Sequence, residues 1–290
     1  MVQNRWALLI TVAVLFVRSA CCLAADEVRL APGQSEDDRR HHYPHKVLRA
    51  ALDATVESHG PYVVRYTGPR MTRDRALLEL TRGKLINVYR APTRAEWEQK
   101  AIPIRIPIRK GLLGYRLLLI NRQDAPNYAR IETVEALMRL RAGMGSQWTV
   151  TRVMRELGFE VVTSPDYEGL FAMLAAKRFD YFPRGINEVF TEVEHRAERF
   201  PEMMIEPTKA IYSVTPTYLF VSPGEPKLAD RIRDGLEKVI EDGTLDRLFE
   251  EEHGEAIQRA GLAERTIFHA PNPLLDPRTP LDREELWFKP

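Results

Sequence analysis

Apolar positions along the chain fall into two rhythms, one helical and one extended, that alternate. A short extended run covers Glu27 to Pro32, followed by a polar loop, PGQSEDDRRHHYPH. Val47, Leu48, Ala51, Leu52 and Val56 then recur at helical spacing up to Gly60. PYVVRYTG reads as a strand. TRDRALLELTRG reads as a helix capped by Thr72 and ended by Gly83, and LINVYRA as the next strand. This strand–helix alternation predicts a parallel sheet with helices on its faces. IPIRIPI and YRLLLIN follow as two extended runs separated by RKGLLG.

The alternation then restarts. VEALMRLRAG is predicted helical, and Val150, Val153, Met154 and Leu157 form one stripe of a helix that Gly158 ends. EVVTS is a strand, YEGLFAMLAAKR a helix, FDYFP a strand and NEVFTEVEHRAERF a helix. TPTYLFVSPG is one more strand. Pro226 opens a helix with Leu228, Ile232, Leu236 and Val239 along one side, and Thr244 caps the helix after it. Beyond His253 the periodicity fades into the Pro-rich stretch PNPLLDPRTPLD, expected to pack as an irregular extension. Two α/β units in succession are the main implication.

The first 25 residues stand apart. MVQNR carries a positive charge, WALLITVAVLF is apolar and ACCLAAD supplies small residues, the layout of a secretory signal peptide cleaved after Ala24 or Ala25. A lipoprotein signal ending at Cys21 or Cys22 is the alternative. Both cysteines of the chain fall in this segment, so the mature chain would be cysteine-free, which suits a bacterial periplasm. Charge is balanced, 42 Lys and Arg against 41 Asp and Glu, which leaves no general footprint for nucleic acid.

No nucleophile elbow, Walker loop, HExxH or dinucleotide glycine fingerprint occurs in the chain. His41, His42 and His45 cluster, but Pro44 between them argues for a solvated loop rather than a metal site. GMGSQWTV precedes a helix start, where free N–H groups favour an anion. Ser146 and Thr149 could add hydroxyls there and Trp148 a flat wall, although a capping turn with a core Trp explains the same residues. Arg184 ends a strand of a parallel sheet, the edge at which ligands of open α/β sheets sit, and could form a bidentate pair with a carboxylate. It could equally be a turn residue paired with Glu188. Arg75 also lies near strand ends.

The order and rhythm of these segments resemble the family 3 extracellular solute-binding proteins. YLFVSPGEPKLADRIRDGLEKVIEDGTLDRLFEEE is similar to that family's return strand, helix and DGTLDRL turn. PTRAEWEQKAIPIRIPIRKGLLGYRLLLI resembles the end of its first lobe, and GMGSQWTVTRVMRELGFEVVTSPDYEGLFAMLAAKRFDYF its second. The resemblance implies the type 2 periplasmic binding-protein fold: two α/β lobes, each a mixed, mostly parallel sheet flanked by helices, joined by a two-strand hinge. The lobes would comprise 26–118 with 218–252 and 119–217, with an extension at 253–290 and crossovers near Leu118–Asn121 and Thr215–Val221. It implies a small-molecule solute in the interlobe cleft and an ABC-type permease or membrane sensor as partner, with no cofactor, no metal, no nucleic acid and a monomeric state.

Departures from the family bear on the ligand. PTRAEW keeps Thr93 but offsets the Arg to Arg94, with Glu96 where the family has its substrate-gripping Arg. Trp148 replaces a Gly, and Arg184 stands where the amino-acid binders carry an acid. An anionic or carboxylated solute is therefore expected, with Arg184, Thr149, Trp148, Ser146, Arg75 and Arg94 as contacts. The alternatives are an exported lyase or dehydratase using Glu188, or a cell-envelope regulator whose cleft binds nothing.

Overall fold

The computed structural model describes residues 25–33 and 41–290, so the signal segment expected over 1–25 lies, apart from Ala25, outside the described residues. The first lobe opens with β1 (Asp26–Leu30), α1 (His42–Asp53), α2 (Val56–His59), β2 (Tyr62–Tyr66), α3 (Arg73–Arg82), β3 (Val88–Pro92), α4 (Ala95–Lys100) and β4 (Ile102–Ile104). α1 begins five residues before the predicted periodicity starts at Val47, inside the expected loop. Pro44 sits in its first turn, where a missing N–H breaks no helical hydrogen bond. Thr72 caps α3 as predicted, accepting from the Arg75 N–H. Strands β1 and β2 pair in parallel. Asn87 knits β1 to the rest: its N–H donates to the Arg29 carbonyl and its side-chain oxygen accepts from the Arg29 N–H at 2.7 Å.

The second lobe contains β5 (Tyr115–Asn121), α5 (Ala125–Ala129), α6 (Val134–Met138), β6 (Ala142–Gly145), α7 (Thr149–Glu156), β7 (Val161–Ser164), α8 (Tyr167–Ala175), β8 (Tyr181–Gly185), α9 (Ile186–Glu194) and β9 (Met203–Tyr212). The chain then returns through β10 (Thr217–Val221), α10 (Pro226–Glu241) and α11 (Thr244–Ala260), and ends beyond β11 (Thr266–His269). β10 lies antiparallel between β3 and β4, and the second sheet has the order β11-β9-β5-β8-β6-β7. α1 buries Leu48 and Leu52 in one core with Ile232 and Leu236 of α10, each such side chain contributing roughly 1.5–3 kcal/mol.

Three strands escaped the periodicity: β6, β9 and β11. The helix predicted over VEALMRLRAG stops at Met138, and Ala142–Gly145 is a strand inside the second sheet. Its glycines oppose strand propensity, but packing requires them: a Cβ on Gly143 would lie 2.2 Å from the Phe179 ring, and one on Gly145 2.3 Å from Trp148. β9, with Pro207 in its middle, was also unmarked. It bulges against β5, and the Glu206 carboxylate accepts from the Thr208 and Lys209 N–H groups at the irregularity.

The lobe boundaries shift accordingly. β5 is one strand of the second sheet, so a boundary between 118 and 119 falls inside it; the chain changes sheets over 105–114 and returns over 213–216. Position 253 likewise falls within α11. The expected irregular extension is instead built into both lobes. β11 adds a parallel edge to β9, and Asn272 Nδ2 donates to the Val214 carbonyl at 2.8 Å. Arg283 forms a bidentate pair with Glu237 of α10 at 2.7 and 2.8 Å, and the Phe288 N–H donates to the Lys110 carbonyl at 2.7 Å. Gly111, at φ 71°, leaves the space that the Trp287 ring occupies.

Ending the chain at Ala270 exposes the Leu286 and Phe288 contacts and should cost about 3–5 kcal/mol, a fall in Tm of roughly 10 °C by calorimetry. A second prediction concerns acid. His253 is buried against Tyr43 and Phe249, and its Nε2 lies 3.3 Å from Arg109 Nη1. A guanidinium can only donate, so that nitrogen carries a bare lone pair. Burial first, and Arg109 second, push the His253 pKa down to about 3. With the folded value below the unfolded one, the stability from neutral His253 is present above pH 6.5 and lost as pH falls towards 3. About 2 kcal/mol should be gone at pH 5, and the pH dependence of Tm should flatten in His253→Gln.

Candidate ligand cleft

Strand register places both crossovers at the carboxyl edges of the two sheets. Tyr115 at the start of β5 pairs with Tyr212 at the end of β9, and Arg116 with Gly185 at the carboxyl end of β8. In the first lobe Thr217, at the start of β10, pairs with Pro92 at the carboxyl end of β3. Both crossovers thus leave from carboxyl edges, the side on which α/β sheets hold ligands. Arg109, in the first crossover, feels charges from both lobes: burial lowers its pKa to about 10 with help from Arg90, while Tyr43, Glu252 and Glu188 oppose the shift.

On the first-lobe edge a small open pocket of about 40 Å³ is lined by His41, His45, Arg73, Tyr89 and Arg90, among others. His45 is not the solvated loop residue expected. It lies in α1, its Nδ1 is 3.1 Å from the Tyr66 hydroxyl, and burial followed by the neighbouring His41 and arginines lowers its pKa to about 3. Among the described residues no group of three or more His, Cys, Asp or Glu could hold a metal ion.

On the second-lobe edge Arg184, Trp148 and Thr149 come together, but the first two face inward. Arg184 is 3% exposed. Its Nε and Nη2 donate to Glu192 at 2.7 and 2.5 Å, and Nη2 lies 3.0 Å from Glu188. The Trp148 ring lies 4.6 Å and the Phe182 ring 4.8 Å from the guanidinium carbon, and Tyr167 donates its hydroxyl to Glu192. Burial alone would lower the Arg184 pKa; Glu188 and Glu192 outweigh it and hold it above its ordinary value. The charge expected to grip a ligand is already matched within the lobe. Glu188 also accepts from the Gly185 N–H at 3.1 Å, closing the first turn of α9.

Thr149 differs. It is the first residue of α7, which has no side-chain cap, and its hydroxyl is buried without a hydrogen-bond partner. Ser146 is half-buried, and its N–H ties the preceding turn to the Ser164 carbonyl at 3.0 Å. In the first lobe Arg94 pairs with Asp74 at 2.6 Å and Glu96 at 3.6 Å, and Thr93 donates to Glu98. Arg75 is exposed on α3.

One further cation belongs to no sequence motif. Arg116, second residue of β5, is 9% exposed, and its Nε is buried with no partner. Burial is the main cause that lowers its pKa to about 10; Glu188 and Glu192 oppose the shift and Arg184 adds to it. The available signal was a charge one place inside an apolar strand, YRLLLIN.

No family model and no curated protein sequence matches the chain. Solved structures do. A probable amino-acid ABC transporter extracellular-binding protein of Bacillus subtilis matches with a TM-score of 0.56 at 16% identity, over 80% of this chain and 99% of its own. An ancestral arginine-binding protein bound to glutamine matches with 0.53 at 16% identity, over 80% and 99%. A periplasmic His/Glu/Gln/Arg/opine family-binding protein from Silicibacter pomeroyi in complex with lysine matches with 0.53 at 12% identity, over 79% and 97%. The chain has the two-lobed periplasmic binding-protein fold. That fold accounts for the two crossovers and the facing edges, and it covers most of the described residues.

The Arg184 cluster yields a stability prediction. Glu192→Gln leaves the buried guanidinium with Glu188 as its remaining acid and should cost about 3 kcal/mol in urea unfolding. Replacing Arg184 and Glu192 together by Met and Leu should cost clearly less.

Proposed function

We propose that the protein is an exported solute-binding protein that captures a small carboxylated solute between its lobes, for an ABC-type permease or a membrane sensor. The observation that supports this reading most directly is Thr149. An uncapped helix start presents N–H groups and the positive end of its dipole, and here a buried hydroxyl without a partner stands beside them at the carboxyl edge of the sheet. A carboxylate would satisfy these donors together. The amino-acid-binding proteins of the same fold make the reading plausible in kind, while at 12–18% identity their ligands do not transfer. Export agrees with the signal-like residues 1–25. A lyase on this fold would draw on Glu188, and that carboxylate is engaged with Arg184 and the start of α9, which favours capture over chemistry.

A thermal-shift screen against organic acids, amino acids and short peptides tests the reading. A true solute at a hundred times its Kd should stabilise the fold by about 2.7 kcal/mol. Thr149→Val should weaken that solute roughly tenfold in calorimetry. If no compound raises the Tm of the wild-type protein, capture of such a solute is ruled out.

A further inference from the structure

We infer that Arg116 is the charged anchor for the solute's carboxylate, a role that rests on the capture reading above and names the group that performs it. The geometry starts from β5. Arg116 shares a face of that strand with Leu118 and Ile120, and these pack in one cluster with Val150 and Met154 of α7. α7 therefore covers the face to which Arg116 points, and Thr149 begins α7. The cross-strand partner of Arg116 is Gly185. A Cβ on Gly185 would meet Asn187 Oδ1 at 2.8 Å and Glu188 Oε1 at 3.2 Å, so Asn187 and Glu188 stand on the same side as Arg116.

At the cleft end of this face three polar side chains have a buried atom without a hydrogen-bond partner: Arg116 Nε, Asn187 Oδ1 and Thr149 Oγ1. They lie at the cleft edge of three neighbouring strands, β5, β8 and β6. The nearby acids are committed, Glu192 to Arg184 and Tyr167, and Glu188 to Arg184 and the Gly185 N–H. A guanidinium taken out of water without an acid carries a desolvation cost that an apolar side chain would avoid. An incoming carboxylate removes that cost: Arg116 supplies the charge and paired N–H donors, Thr149 a hydroxyl and helix N–H groups, and Asn187 reads a polar substituent beside the carboxylate. Arg184, expected to do this work, instead backs the site and holds Trp148 and α9 in place.

Calorimetric titration of full-length wild type, Arg116→Met and Arg116→Lys decides the matter. The probes are small mono- and dicarboxylates and amino acids, each beside its neutral amide, and inorganic phosphate. Wild type should bind a carboxylate and not its amide. Arg116→Met should lose about 30-fold in affinity and melt, without ligand, no lower than wild type, and Arg116→Lys should recover part of the affinity. If Arg116→Met and Arg116→Lys both bind the carboxylate as tightly as wild type, the anchor is refuted while solute capture stands. If phosphate binds and no carboxylate does, the ligand class is wrong. If nothing binds wild type, anchor and capture fall together. A ligand-free Tm for both variants well below that of wild type would show a structural cation and overturn the assignment.

Discussion

The pairing of the two crossovers is the constraint on which the remaining architecture depends. The chain enters the second lobe at Tyr115 and leaves it at Tyr212, and these residues are cross-strand partners with ring centroids 4.2 Å apart. Just outside, the Ser213 N–H donates to the Gly114 carbonyl. Two strands that cross side by side must run antiparallel, so β5 and β9 oppose each other, and β5 opposes β8. The antiparallel arrangement sets the start of β5 against the carboxyl end of β8. The same logic in the first lobe sets the start of β10 against the carboxyl end of β3. A cleft lined by helix starts and strand ends on both sides follows from that pairing, without any specific residue at its mouth.

Charge is distributed around this edge in two ways. Arg184 sits in a complete environment, with a bidentate acid, a second acid and aromatic faces, and such a pair is worth little net stability over an apolar replacement while being costly to break on one side. What it contributes is position: it fixes Trp148 over Gly145 and ties α9 to β8, which sets where the α7 start and the Gly185 turn stand. Arg116, two strands from β6, has the opposite character, desolvated and without an acid of its own. One cation is matched within its lobe and the other is left incomplete, the arrangement that the proposed anchor requires.

Helices with a clean apolar stripe and marked ends were legible from the residues: α3 between Thr72 and Gly83, α7 from its stripe, α10 from Pro226 onward. β6 was not, because Ala-Gly-Met-Gly has poor strand propensity and is selected by rings of Phe179 and Trp148 that approach from distant positions. β9 was hidden by Pro207 and a bulge whose backbone groups are satisfied by Glu206. At the site, sequence position located Arg184 at a strand end but could not show that Glu192, eight residues on, neutralises it. Arg116 was hidden for the converse reason. Inside an apolar run it reads as a strand residue, and only the absence of a partner in three dimensions distinguishes it.

The C-terminal segment adds a constraint on motion that the two crossovers alone would not impose. It belongs to the second lobe through β11, holds the return crossover through Asn272, grips α10 of the first lobe through Arg283 and seats Phe288 on the outgoing crossover. Hinge closure in two-lobed proteins works by changing backbone angles in a few connecting residues. Here those residues are bonded to a segment anchored on both lobes, so a wide rotation would have to break the Arg283 pair, the Lys110 bond or the edge strand. In the proposed reading, a cleft braced in this way would change little in width and gain little from wrapping its solute. Affinity in the proposed reading would then come from groups already in place and already desolvated, as Arg116 and Thr149 are.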